Sequence, residues 1–464
     1  MTDFLKYRLF DRLTVSRWYP IAVQVFTLAV FGLLIAGGLT VPHVSEKLAG
    51  TLRNTNLAAL IVWSLWWPLV IISAPLFGRI WCQVCPMELV NSFFSRFGLK
   101  RKAPRFLTSG WGTVIFYSLA LLGFIRTYWA HRYPERMSVF FLFLFVVVII
   151  AGLIYEKRAF CNYLCPVGRL LGLYACCAPM EWRVRDRAIC DDCRTKDCIA
   201  ARNSYSLTAR SCTSNLYPAA IADNRDCLLC THCRKVCPRD NLRFSLRMPL
   251  ADFFRGLRLG SVELFLLMVA SGLVVWELAE EWVPARNVIE YLPDRAAAWL
   301  GLSGEAANSM HTLFVFILMP ALLFLIPSVA GKWMGKTTLL KSAATFGLFF
   351  LPVVALGHLI KALFRITSRL PYYPLAFSDP RGIDTANLIA AGELQIERQI
   401  VETLSPWVTW ISFVIFGAAL LSVWLIGKRN LKPGSPEGRG RLSMVLIAMT
   451  YGTILFIITI LARV

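Results

Sequence analysis

Apolar residues run along this chain in long blocks separated by short polar, basic or proline-containing breaks. Neither the alternation of a half-buried strand nor the one-sided stripe of a soluble helix describes them. A helix crossing the ~30 Å hydrocarbon layer of a bilayer needs roughly 20 mostly apolar residues. Nine stretches meet that length, at about 18–40, 55–77, 110–130, 137–155, 259–282, 311–331, 339–364, 405–427 and 442–463. The first is too long for a signal-peptide core and has no clean small-residue cleavage site, so it reads as an uncleaved helix. Between the fourth and fifth stretches the pattern stops for about 100 residues, enough to fold as a separate body. The expected architecture is an all-α polytopic membrane protein of about nine transmembrane helices. Residues 1–156 form a four-helix membrane part, 157–258 an inserted extramembrane domain, and 259–464 a five-helix membrane part.

Composition supports this. Hydrophobic residues make up 57% of the 464 and charged residues only 17%, where a soluble domain carries about 25% charged. Such hydrophobicity excludes disorder. The net charge of +21 does not point to nucleic acid, because the cations follow the breaks between spans. They are Lys6, Arg8, Arg12 and Arg17 before the first span, and Arg79, Arg96, Lys100, Arg101, Lys102 and Arg105 after the second. Lys332 and Lys336 follow the sixth, and Lys428, Arg429, Lys432, Arg439 and Arg441 the eighth. The opposite loops hold acids, among them Glu277, Glu280, Glu281, Asp379 and Asp384. The basic side, with the N-terminus and the inserted domain, is expected to face the cytoplasm at a bacterial inner membrane, where cations also meet anionic headgroups.

The fourteen cysteines all lie between Cys82 and Cys237. Disulfide scaffolds belong to small secreted domains, so clustered thiols in a long chain point to metal. Cys227-Leu-Leu-Cys230-Thr-His-Cys233-Arg-Lys-Val-Cys237-Pro238 is the C-x2-C-x2-C-x3-C-P run of bacterial ferredoxins. Zinc ribbons use two separated C-x2-C pairs instead. Upstream, Cys190, Cys193, Cys198 and Cys212 form a looser copy. By the crossover rule of two-cluster ferredoxins, Cys190, Cys193, Cys198 and Cys237 share one cluster and Cys212, Cys227, Cys230 and Cys233 the other. A local assignment, each run of four serving its own cluster, stays open. The third set is split. Arg79-Ile-Trp-Cys82-Gln-Val-Cys85-Pro86 follows span two and Arg158-Ala-Phe-Cys161-Asn-Tyr-Leu-Cys165-Pro166 follows span four. Those spans run the same way, so four thiolates can close on one [4Fe-4S] cluster at the membrane boundary. Cys176 and Cys177 are left over and read as buried apolar thiols. His43, His131 and His232 read as incidental, although His232 sits inside a cluster loop and can tune a potential by hydrogen bonding.

Paired Cys-Pro motifs at helix ends, followed by a ferredoxin-like domain, resemble the NapH/NosR-type membrane polyferredoxins over about residues 55–240. The first motif is C-x2-C-P where that family commonly has C-x3-C-P. The resemblance implies [4Fe-4S] clusters that pass electrons between the quinone pool and other redox proteins of respiratory or photosynthetic chains.

Five spans lack cysteine. Ionisable residues inside spans default to functional hypotheses, and His358, Lys361, Arg365 and Arg369 share one helical face. They read as snorkelling or hydrogen-bonded side chains, as a quinone headgroup site, or, through His311 and His358, as axial ligands of haem b. A quinone on the outer face would lie across most of a ~30 Å core from the boundary cluster, which calls for a haem bridge, a quinone near Cys82 and Cys161, or a partner's relay. No C-x-x-C-H occurs, so covalent haem c is not expected. No Walker A or G-x-G-x-x-G motif supports nucleotide binding. The expected function is a membrane-bound iron–sulfur electron carrier with three [4Fe-4S] clusters, linking a cytoplasmic redox partner or other redox subunits to the quinone pool. The rivals are a maturation factor for a metalloenzyme, a redox-sensing regulator, and a quinol-oxidising subunit with haem b. Anaerobically purified protein is expected to hold about twelve irons and to show no Soret band; a sharp Soret band would put haem b first.

Overall fold

The computed structural model describes residues 3–206, 209–431 and 435–462; Lys432, one of the loop cations, lies outside them. Among the described residues eight helices are long and apolar enough to cross a membrane. They are Ile21–Leu39, Leu57–Phe77, Pro134–Ile154, Ser261–Ala279, Gly304–Gly335, Leu339–Arg369, Gln399–Asn430 and Pro436–Leu461. The remaining expected stretch, 110–130, forms a shorter apolar helix, Trp111–Ile125. Beyond it the backbone turns at Trp129, with φ of 55°, and a new helix starts at Pro134.

Two compact units are present. The first comprises Met1–Ala36, Ile72–Phe116 and Ser138–Arg255. Its only sheet among the described residues is a two-stranded antiparallel ribbon, β1 (Met180–Val184) against β2 (Leu242–Leu246), with Trp182 opposite Phe244. A lone ribbon is marginal in water. Here the N-terminal segment covers it. Phe4, Leu5 and Phe10 pack on Trp182, Leu229 and Phe244, and the Phe10 and Phe244 rings stack at 5.2 Å. Each such ring pair adds about 0.5–1.5 kcal/mol beyond its buried area. Asp3 completes the edge by accepting from the Phe244 N–H at 3.3 Å. Cys227, Cys233 and Cys237 pack against this same cluster, so the ribbon is the floor on which the cysteine loops rest.

A second anchor is polar. Glu88, on the Pro86–Phe97 helix, is buried. Its carboxylate accepts from Arg210 Nη2 at 3.0 Å, Ser92 Oγ at 2.8 Å and Gln24 Nε2 at 2.5 Å. Arg210 also donates through Nε to His232 Nε2 at 3.2 Å. One carboxylate thus ties a membrane-proximal helix, the first span and two cysteine loops together. Burial opposes the Glu88 charge, yet Arg210, Arg158 and the Ser92 hydroxyl outweigh it and hold the carboxyl at about 2.

The second unit comprises Gly37–Ile71, Tyr117–Met137 and Gly256–Val464. Its centre is the Leu339–Arg369 helix, packed by Ser261–Ala279, Met319–Gly335, Gln399–Asn430 and Pro436–Leu461. Phe346 and Phe350 stack at 5.3 Å, and Phe324 and Tyr451 meet them edge-on. Lipid offers no hydrophobic drive between helices, so close backbone approach at small residues does the work. At Gly440 a Cβ would come within 2.7 Å of Gly335 Cα, so only hydrogen fits there. Trp407, Val414 and Ile326 point outward, as lipid-facing side chains do.

Glu88→Gln keeps the side-chain shape and leaves Arg210 without its counter-charge. A loss of about 3–5 kcal/mol, the range for breaking a buried pair, is expected as a lower thermal midpoint in detergent at pH 7. The Glu88 carboxyl sits at about 2 in the fold against an ordinary 4.5, so the unfolded chain takes up its proton first on acidification. Its contribution is whole above the ordinary value and fades as pH falls towards the folded one. The gap between wild type and variant should therefore close across that window; equal midpoints at pH 7 would refute the role.

Candidate metal centres

Both Cys-Pro pairs are helix starts. Cys85 and Cys165 are extended residues at the N-cap, and Pro86 and Pro166 are the first residues of the Pro86–Phe97 and Pro166–Ala175 helices. Proline suits that position because its missing N–H would have no partner there. The cysteine sulfur then stands at the positive end of the helix, where a thiolate is favoured. At Cys165 the sulfur accepts from the Gly168 N–H at 3.3 Å. The motifs differ by one residue, and the structure absorbs it. Ile80–Val84 is an ordinary helical turn, whereas Phe160–Leu164 is a wider π-turn closed by Cys165 N–H donating to Phe160 O at 2.8 Å. Cys161-Asn-Tyr-Leu-Cys165 therefore ends in the same N-cap geometry as Cys82-Gln-Val-Cys85.

The four sulfurs of this set feel one another. Burial, and then the charges of Cys165 and Cys82, push the Cys85 thiol up. Cys161 is likewise raised by burial, opposed by Arg158 and reinforced by Cys165 and Cys85. Burial takes Cys165 up to about 11 against the Gly168 N–H, Arg79 and Arg158.

The other eight line two hollows. Cys190, Cys193, Cys198 and Cys237 surround one; Cys212, Cys227, Cys230 and Cys233 surround the other. This is the crossed grouping: Cys237 lines a different hollow from its three sequence neighbours. N–H groups reach the sulfurs in both. Asn241 Nδ2 donates to Cys190 Sγ at 3.2 Å, Trp182 Nε1 to Cys233 Sγ at 3.1 Å, and the Leu216 N–H to Cys212 Sγ at 3.4 Å. Such bonds are one of the levers that set cluster potentials. Around the first hollow Cys193 is exposed to acidifying groups, and the Lys196 backbone N–H and the Thr195 hydroxyl draw its pKa down. Around the second, burial pushes Cys227 up to about 12.

All fourteen cysteines are unbridged thiols. Among the described residues no three His, Cys, Asp or Glu side chains converge on a single ion, the arrangement a tetrahedral zinc requires. A four-iron cubane takes each sulfur at a different corner, so its ligands stand apart around a space. The surroundings also suit an anionic group. Arg158 Nη1, Arg79 Nε and His232 Nδ1 are buried without hydrogen-bond partners among the described residues, next to the cysteine loops. The donor set and these orphaned groups fit [4Fe-4S] clusters. Cys176 and Cys177 stand outside all three sets and are buried, with Cys176 Sγ against Gly172 O at 3.6 Å.

In the second unit the structure separates the candidate residues. His311 Nε2 meets Asp294 Oδ1 at 2.6 Å. His358, Lys361 and Arg365 instead converge on Glu277. Arg365 Nη2 donates to Glu277 Oε1 at 2.9 Å, Lys361 Nζ donates to Glu277 O at 2.7 Å and Glu281 Oε1 at 2.5 Å, and His358 Nε2 faces Glu277 Oε2 at 3.9 Å. The two histidines thus address different carboxylates. Sequence reasoning missed Glu277, counting it among outer-loop acids, although it lies within the Ser261–Ala279 helix. It also missed Arg53, whose pKa falls to about 10 through burial and the nearby Arg369 and Arg365. Glu88 and Arg210 were missed for the same reason: a carboxylate 122 residues away from its arginine gives no spacing signal.

The comparisons with known proteins follow the cysteines. A 4Fe-4S binding domain family, Fer4_5, matches residues 59–104 and 138–183, the two segments carrying the Cys-Pro pairs. Ferredoxin-type protein NapH of Haemophilus influenzae is 23% identical over 192 residues, 39% of this chain and 66% of that protein. Ferredoxin-type protein NapH of Escherichia coli is 24% identical over 188 residues, 36% of this chain and 62% of that protein. The chain spans just under two thirds of the length of these two relatives. No solved structure matches. Cys-Pro helix starts inside both matched segments, apolar spans around them and relatives of ferredoxin type make this chain a multi-helix protein with a 4Fe-4S binding domain that is similar to the NapH ferredoxin-type proteins.

Proposed function

We propose that the twelve clustered cysteines hold three [4Fe-4S] clusters and that the protein relays electrons between a soluble redox partner and the membrane quinone pool. Cys190, Cys193, Cys198 and Cys237 would hold the first cluster, Cys212, Cys227, Cys230 and Cys233 the second, and Cys82, Cys85, Cys161 and Cys165 the third. The observation that carries the reading is the pair of hollows, each lined by four sulfurs drawn from two separate runs. Once bound, the clusters would supply one-electron transfer; the chain's own part is to hold them at fixed spacing and to set their potentials through N–H···S bonds and buried cations. The partner would dock at the first hollow, where Arg187, Arg194 and Arg239 are exposed, and an acidic surface would be steered there. The domain of 157–258 and the N-terminus would face the cytoplasm of a bacterial cell.

The quinone would bind in the second unit at His358, Lys361 and Arg365. Support comes from their convergence on Glu277: His358, Lys361 and Arg365 supply hydrogen-bond donors, and Glu277 a carboxylate that can hold or move a proton at a carbonyl oxygen. The separate carboxylate partners of His311 and His358 favour this site over bis-histidine haem b. The relatives' ferredoxin-type names favour a carrier over a maturation factor.

Crossed ligation has a direct readout. Anaerobic Cys237→Ser and Cys190→Ser are expected to lose the same EPR signal and each about four irons. Loss of the Cys230→Ser signal by Cys237→Ser would instead mean local ligation, and a wild-type protein without iron would end the cluster reading. For the quinone site, Lys361→Met and Glu277→Gln are expected to slow quinol oxidation about a hundredfold at unchanged iron content. Undiminished turnover in both would remove the quinone from that site.

A further inference from the structure

We infer that Arg158 is a counter-charge shared by two of the three metal centres, held between the Cys82/Cys161 set and the Cys212/Cys230 set so that one cation sets the potential of both. The inference rests on the cluster ligation proposed above.

Arg158 is 2% exposed, among the most buried large side chains of the protein. Its Nε donates to Asn162 Oδ1 at 3.2 Å, and its Nη1 is buried with no hydrogen-bond partner among the described residues. It lines a small polar hollow that also takes in Cys212 and Arg210. The sulfurs near enough to act on its charge belong to both sets, Cys161 and Cys82 to one and Cys230 to the other. Burial works against its charge, but Cys161, Glu88, Cys82 and Cys230 together raise its pKa above the ordinary arginine value. Arg210 already has Glu88 and His232 as partners; Arg158 has no carboxylate of its own within ion-pair distance among the described residues. A buried cation left this way is costly, and its position is explained if anionic centres lie on either side.

The two sets are also fastened together where Arg158 sits. Asn162, between Cys161 and Cys165, donates through Nδ2 to the carbonyl of Thr213, the residue after Cys212, at 3.1 Å. Arg79 Nη1 donates to the carbonyl of Arg225, two residues before Cys227, at 2.8 Å. Gly172 presses on the same carbonyl: a Cβ there would come within 2.5 Å of Arg225 O. Three fixed points therefore hold the loops of the second set against the motifs of the third. Reduction adds one negative charge to a centre, and a nearby cation in a low-dielectric interior stabilises the reduced form more than the oxidised one. A cation between two centres makes both easier to reduce while leaving the difference between them nearly unchanged.

The test is a potentiometric EPR titration of the purified full chain. Arg158→Gln is expected to weaken reduction of the second and third centres together by about tenfold each, ~59 mV for a one-electron couple, and to leave the first in place. The first centre's signal is assigned by its loss in Cys193→Ala. Arg158→Lys should restore most of the shift, which a purely structural role would not require. Unchanged midpoints at full iron content, a shift of one centre alone, or an equal shift of all three would overturn the inference. If Arg158→Gln does not accumulate with iron, Asn162→Leu is the second arm. It keeps the cation and removes the side chain that orients it, so it should move the same two midpoints; no movement would overturn the inference. An iron-free wild type would instead sink the ligation reading beneath it.

Discussion

Sulfur anions taken out of water need positive charge in the same interior, and the first unit is arranged around that requirement. Most of its clustered thiols are pushed up by burial, so the protein alone disfavours their ionised form. Against this stand helix N-termini at Cys85 and Cys165, N–H groups from Trp182, Asn241 and Gly168, and the guanidinium groups of Arg79, Arg158 and Arg210. Glu88 pins one of them, Arg210, to the Pro86–Phe97 helix through a 3.0 Å ion pair. Part of the net charge of +21 is thus internal counter-charge.

What could be read from the chain was whatever repeats at short range. Cys227 to Cys237 declare their chemistry by spacing, and the two Cys-Pro pairs by their shared form. Apolar length gave eight of the helices that are long enough to span; the block at 110–130 matched in hydropathy, but its helix ends early, and a count of residues does not sense a left-handed turn at Trp129. The grouping of these cysteines in space was not visible in the chain, because Cys237 is close to Cys233 in sequence yet lines a hollow with Cys190. The partners of the sulfurs were illegible for the same reason: Trp182 is 51 residues from Cys233, and Asn241 is 51 from Cys190.

The second unit shows the converse error. His358, Lys361 and Arg365 announced themselves by sitting in an apolar run, and their common face follows from helical period. Their partner Glu277 was counted with loop acids because it lies one turn from a span's end, where composition cannot tell a loop from a helix terminus. Cations in a membrane interior are rarely explained by their own helix; the carboxylate that makes them tolerable sits on a neighbour.

Cys85 and Cys165 are at once the last residues of a sulfur motif and the capping residues of the helices that follow. At Cys165 the sulfur itself accepts the first-turn amide of Gly168, so a metal bound there would share one atom with the start of the helix.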